Sequence, residues 1–154
     1  MTDMRAVLAS ISLLFVLPFT AAAQDDDTWP SLEYLKNDYK NVAVVAHIRI
    51  HEALIVGRVG GYENWKVTAQ VIEPFKGRLR KAQVIEYFHG AEAGLKKEYF
   101  DGEKIVFLLA EYDRPGKTYR YSVLENSTLA FSDDRAKKLR LIRKSIMNKQ
   151  RRRT

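Results

Sequence analysis

There is no cysteine among the 154 residues. That excludes disulfide staples, and it excludes a lipid anchor on a cysteine behind an N-terminal leader. Histidine is nearly as scarce, with His47, His51 and His89 the only three. No G-x-S-x-G or comparable elbow presents a serine nucleophile. Beyond the first residues, no apolar run approaches the roughly 20 residues that a membrane-spanning helix requires. There is also no internal repeat and no low-complexity linker, so residues 31–147 read as one domain.

What is present has the balance of an ordinary globular domain, 46% hydrophobic and 29% charged. A chain of this size can bury roughly two-thirds of its unfolded surface without staples. The net charge is +7, and much of the excess lies in residues 137–153. Arg5 precedes an apolar run over 6–19, Pro18 breaks that run, and Ala21-Ala22-Ala23 supplies small residues at a cleavage site. This pattern predicts a signal peptide over 1–23, cut between Ala23 and Gln24. A cysteine-free exported chain fits a bacterial periplasm or exterior. Residues 24–30, with Asp25, Asp26 and Asp27, form an acidic lead-in.

Along 62–73 the residues alternate, with Trp65, Val67, Ala69 and Val71 on one face and Lys66, Thr68 and Gln70 on the other. Period two with aromatic and β-branched residues predicts a strand with one buried face. Pro74 has no amide proton for a ladder, so the strand is expected to end near Glu73. Phe75 follows as an apolar anchor, and Gly77 can take a positive φ to turn the chain back.

Ser31 is placed to cap a first helix, with Leu32, Leu35 and Tyr39 at helical spacing and Asn41 closing it. Residues 42–50 read as a strand with Ala46, Ile48 and Ile50 facing one way and His47, Arg49 and His51 the other. Residues 52–59 continue it after a bend. Further strands are expected over 82–89, 103–112 and 119–124, the second being the most apolar and so central. A loop with a helical turn around 93–97 precedes 103–112, and Asp113-Arg114-Pro115-Gly116 signals a turn after it. Ser132-Asp133-Asp134 opens a last helix with the stripe Ala136, Leu139, Ile142 and Ile146. Residues 148–154 read as a basic tail without structure. The expected fold is all-β with flanking helices: a five-stranded Greek-key barrel of the OB type plus a C-terminal helix.

The aliphatic strand 42–50, then W-K-V-T-A-Q-V-I-E-P-F-K-G, then G-E-K-I-V-F-L-L, then N-S-T-L-A-F before a helix, resemble the netrin-like domain. This is the OB-fold domain of the tissue inhibitors of metalloproteinases and of netrin and complement C-terminal modules. The resemblance covers about residues 32–144 and implies the same barrel in a binding protein. Those inhibitors chelate their target's zinc through an N-terminal cysteine. The expected mature N-terminus here, Gln24-Asp25-Asp26-Asp27, has no such group, so that mechanism does not carry over.

The three histidines read as surface or edge residues, because strand neighbours four apart are too far apart to share an ion. No metal or other cofactor is expected. The carboxylates are scattered, with Glu73, Glu86, Glu103 and Glu111 reading as outward charges. Arg58, Tyr62, Lys66, Tyr87, His89 and Arg120, with Tyr119 and Tyr121 nearby, form a candidate aromatic and basic ligand-binding face. The competing reading packs the aromatics inside the barrel, and Trp65 falls there because it shares a face with Val67 and Val71. Lys149, Arg151, Arg152 and Arg153 are candidate polyanion contacts, and the equal competing reading is a solvated face of a helix whose apolar stripe packs on the barrel; a nucleic-acid role for them is at odds with export. The function expected is therefore an exported, non-catalytic binding module for a protein or an anionic glycan or lipid surface. The alternative is a small exported hydrolase or an accessory subunit of an envelope enzyme. Glu86 and Glu111 converging with a histidine in one pocket would favour that alternative.

Overall fold

A computed structural model describes residues 30–112 and 119–152. The leader 1–23 with its cleavage point at Ala23 and Gln24, the Asp25–Asp27 run, the 113–116 turn and Arg153 lie outside the described residues. Helix α1 spans Leu32–Asn41, and five strands follow: β1 Val44–Val59, β2 Tyr62–Lys76, β3 Val84–Glu92, β4 Glu103–Tyr112 and β5 Tyr119–Ala130. A short 3-10 helix, Lys97–Phe100, sits before β4, and helix α2 spans Asp133–Arg151. The strands close in the order β1-β2-β3-β5-β4. That is a five-stranded Greek-key barrel of the OB-fold kind, flanked by a helix at each end of the chain.

Both helices start where capping side chains stand. Ser31 Oγ accepts from the Tyr34 amide at 3.2 Å, and Ser132 Oγ from the Arg135 amide at 3.3 Å. Two layers of core follow from the alternation in the strands. Val44, Ala46, Ile48, Val67, Ala69, Val71, Ile85, Tyr87, Val106 and Leu108 fill the barrel. Val45, Phe75, Ile105, Phe107 and Leu129 point outward under Leu35 and Tyr39 of α1 and Ala136, Leu139 and Ile142 of α2. Strand β4 is continuously apolar for this reason: Ile105 to Leu108 are all fully buried, alternately inside the barrel and under the helices. Each such aliphatic side chain contributes about 1.5–3 kcal/mol on burial.

Several boundaries differ from the sequence expectation. Strand β2 continues through Pro74 to Lys76, with Pro74 opposite Ala46. Pro74 is tolerated because β3 covers β2 only as far as Gln70, and a register shift lies between Val45 and Ala46. Strand β3 starts at Val84, after Ala82 at φ 65, and runs past Gly90 because Gly90, Ala91 and Glu92 pair with Asn64, Glu63 and Tyr62. Strand β5 extends to Ala130 after a break in register against β4 between Val106 and Leu108. The supposed basic tail is helical through Arg151.

Candidate functional site

The seam that closes the barrel is short. Strands β3 and β5 pair in parallel only at Tyr87–Tyr121 and Phe88–Ser122. Beyond those two pairs no β3–β5 pairing continues, and His89 and Val123 pair only with the strands on their other sides, β2 and β4. A cavity of about 350 Å³ opens between them, lined by Tyr62, His89, Gly90, Ala91, Glu92, Leu95, Tyr99 and Val123.

Alternation along β2 and β3 places Trp65, Tyr87 and His89 in neighbouring inward rows. The 3-10 helix lays Tyr99 and Phe100 against them. The His89 ring is 5.5 Å from Tyr99 and meets Phe100 edge-on at 5.3 Å, while Trp65 lies 5.0 Å from Phe100. Trp65 Nε1, the Tyr87 hydroxyl and His89 Nδ1 are buried with no hydrogen-bond partner among the described residues. Such groups cost about 1–3 kcal/mol each when left unpaired. Burial pushes the Tyr87 and Tyr99 phenols up and the His89 imidazole down, so His89 is neutral at neutral pH.

The aromatic and basic face expected from the sequence is divided between two sides of the sheet. Of its six residues, Tyr62 and His89 share the cavity. Tyr87 is fully buried, a correction that follows from its place in the inward row beside Val67. Lys66 points outward and pairs with Glu86 at 2.7 Å. Arg120 lies 3.8 Å over the Phe88 ring, again on the outer side. Arg58 turns back to the buried Glu63 at 3.0 Å. The side chain of Tyr119 lies outside the described ones, and Tyr121 packs against the barrel core.

Two histidines are not surface residues. His89 is in the cavity wall, and His47 is buried with its ring stacked on Phe131 at 3.8 Å. His47 Nε2 is 2.7 Å from Glu103 Oε2, and Arg49 donates to Glu103 Oε1 at 2.6 Å. Both hydrogen bonds, that of Arg49 first, hold the Glu103 carboxyl below the usual carboxylate range. Arg140 of α2 donates twice to Glu73, at 2.9 and 2.6 Å, and thereby lowers the Glu73 pKa and raises its own. The Arg140–Glu73 pair fastens α2 to the barrel. Glu111 accepts from Ser122 Oγ at 2.7 Å, and neither it nor Glu86 lines the cavity that holds His89. Among the described residues, no three His, Asp or Glu side chains gather to hold a metal ion.

At the other end of β2 the surface is basic. Lys76 Nζ donates at 2.6 Å to the carbonyls of Tyr39 and Val42, at the C-terminal end of α1 where a cation suits the helix dipole. Burial lowers the Lys76 pKa. Beside it a groove of about 520 Å³ runs between α1, the end of β2 and α2, with Lys40, Lys76 and Arg143 in its walls. Adjoining hollows carry Lys36 and Lys149, then Lys144 and Arg152, and a separate one on the β2–β3 connection carries Arg78, Arg80 and Lys81. No Asp or Glu lines any of them. Sequence reasoning found the C-terminal part of this surface and missed the rest. The run Arg78-Leu79-Arg80-Lys81 was a readable signal, whereas Lys36 and Lys40 join only through the packing of α1 on α2. No family model matches the chain, and a search of curated proteins finds no match to it.

Proposed function

We propose that this chain is an exported netrin-like OB domain that works as a non-catalytic binding module for a polyanionic surface. The observation that carries the reading is the set of cations from α1 and α2 around the groove at the Lys76 end of β2, with Arg78, Arg80 and Lys81 on the β2–β3 connection that follows. No Asp or Glu lines these hollows. Among the described residues, Lys36, Lys40, Arg78, Arg80, Lys81 and Lys149 form no ion pair, in contrast to Arg49, Arg58, Lys66 and Arg140. Such a concentration of one sign attracts sulfate, phosphate or carboxylate polymers and is screened by salt. Netrin-like identity rests on the order of the W-K-V…F-K-G and G-E-K-I-V-F-L-L motifs together with the closed five-stranded barrel.

The test is binding at low and moderate salt to heparin and to vesicles with and without anionic lipid. Expected is steeply salt-dependent binding to heparin or to the anionic vesicles, weakened when Arg78, Arg80 and Lys81 are replaced together by alanine. Preference for heparin identifies a glycan, and preference for vesicles a lipid surface. Binding to neither, or binding indifferent to that triple substitution, overturns the reading.

A further inference from the structure

We propose that the opening between β3 and β5 is a binding site for a single uncharged sugar ring. The site stands at the Tyr62 end of β2, while the basic groove stands at the Lys76 end, so it is independent of the polyanion surface. Its volume, about 350 Å³, is at the small end of the roughly 300–1,000 Å³ typical of small-molecule pockets. That is room for one ring with its substituents.

The wall chemistry narrows the class. No Lys or Arg lines the cavity, and its one charged group is Glu92, so an anion finds a carboxylate and no cation. His89 is nine-tenths buried, and its Nδ1 has no partner among the described residues. Trp65 Nε1 and the Tyr87 hydroxyl, also buried without a partner among the described residues, belong to side chains in the same inward rows that do not line the cavity. The polar lining groups differ in need: the Glu92 carboxylate requires a donor, and the imidazole takes either. A ring bearing hydroxyls meets both, because each hydroxyl both donates and accepts. The remaining walls are Gly90, Ala91, Leu95, Val123 and the side chains of Tyr62 and Tyr99, an apolar and aromatic lining that suits the C–H face of a pyranose. Tyr62 is 59% exposed at the rim, placed to lie over a ring once it has entered.

Binding can be read from Trp65 itself. The chain has two tryptophans, so a Trp29→Phe background leaves Trp65 as the only indole. Titration with glucose, galactose and N-acetylglucosamine is expected to give a saturable change in emission with at least one of them. His89→Ala should weaken that binding about tenfold, the cost of losing one buried polar contact. If His89→Ala fails to fold, Tyr62→Ala at the exposed rim takes its place, with the same weakening expected. N-acetylglucosamine 6-sulfate and indole serve as the anionic and flat aromatic comparators. The proposal is overturned if none of the three sugars saturates, if either comparator binds more tightly than all of them, or if the substituted chain binds as well as its parent.

Discussion

Gly77 lies so close to Ala43 that a Cβ on it would stand 2.9 Å from the Ala43 carbonyl oxygen and equally near a Val44 methyl. Its φ is +92°, in the region that side chains rarely adopt. The β2–β3 turn therefore passes against the start of β1 with no room for a side chain. Gly77→Val should destabilise the domain by about 2–4 kcal/mol, combining backbone strain with the clash. A denaturant midpoint equal to the parent's would contradict this.

Trp65 is 5% exposed and packs on Phe100 within the barrel. Trp65→Ala should cost about 3–5 kcal/mol, the range for emptying a large aromatic site. A near-parental midpoint would return the indole to a surface role.

Acid should unfold the protein in two stages. His89 is held below 6.5 by burial, so the unfolded chain takes up this proton first. Its contribution is complete above about pH 6.5 and falls as the pH drops through that value toward the folded pKa. Glu73 and Glu103 are held below 4.5, chiefly by hydrogen bonds from Arg140 and Arg49, and their contribution is lost below about that pH. Unfolding midpoints measured against pH should show both stages, and His89→Gln should remove the upper one. A profile unchanged by that substitution speaks against the buried neutral imidazole.

The end of α2 can be removed without loss of the fold. Its buried residues are Ala136, Leu139 and Ile142, all well before Met147. Truncation after Met147 deletes Lys149, Arg151, Arg152 and Arg153. The far-ultraviolet spectrum and unfolding midpoint should stay close to those of the full chain. Heparin affinity should fall and its salt slope flatten by up to about three, since each lost contact releases fewer counterions. An unchanged slope would confine binding to α1, the β2–β3 connection and the part of α2 before Asn148.

Export predicts a trimmed chain. Intact mass and N-terminal sequencing of protein from the cell envelope should begin at Gln24, because Ala21 and Ala23 meet the small-residue requirement. A retained Met1 would remove the exported setting on which the proposed function rests.

The sequence by itself determined what depends on near neighbours. The alternation of Trp65, Val67, Ala69 and Val71, the caps at Ser31 and Ser132, the turn at Gly77 and the unbroken apolar run of β4 were all legible. Each reflects a period or a local backbone need. Even the choice of a five-stranded barrel followed, since strand number and connection length leave few ways to close a sheet.

Tertiary structure alone decided which side of that sheet each polar residue meets and what faces it. Tyr87 and His89 went inward while Lys66 and Arg120 went outward, so one aromatic and basic face became a cavity wall and a separate outer surface. Pro74 could stay in its strand because β3 had already left that stretch of β2 uncovered. Tyr99 and Phe100 came from a segment with no periodicity, and only the parting of β3 from β5 gave them a cavity to close. Lys36 and Lys40 are far from Lys149 along the chain, and they came to line one hollow when α1 and α2 packed side by side. Long-range register and packing set these placements, and neither is written in any single stretch of residues.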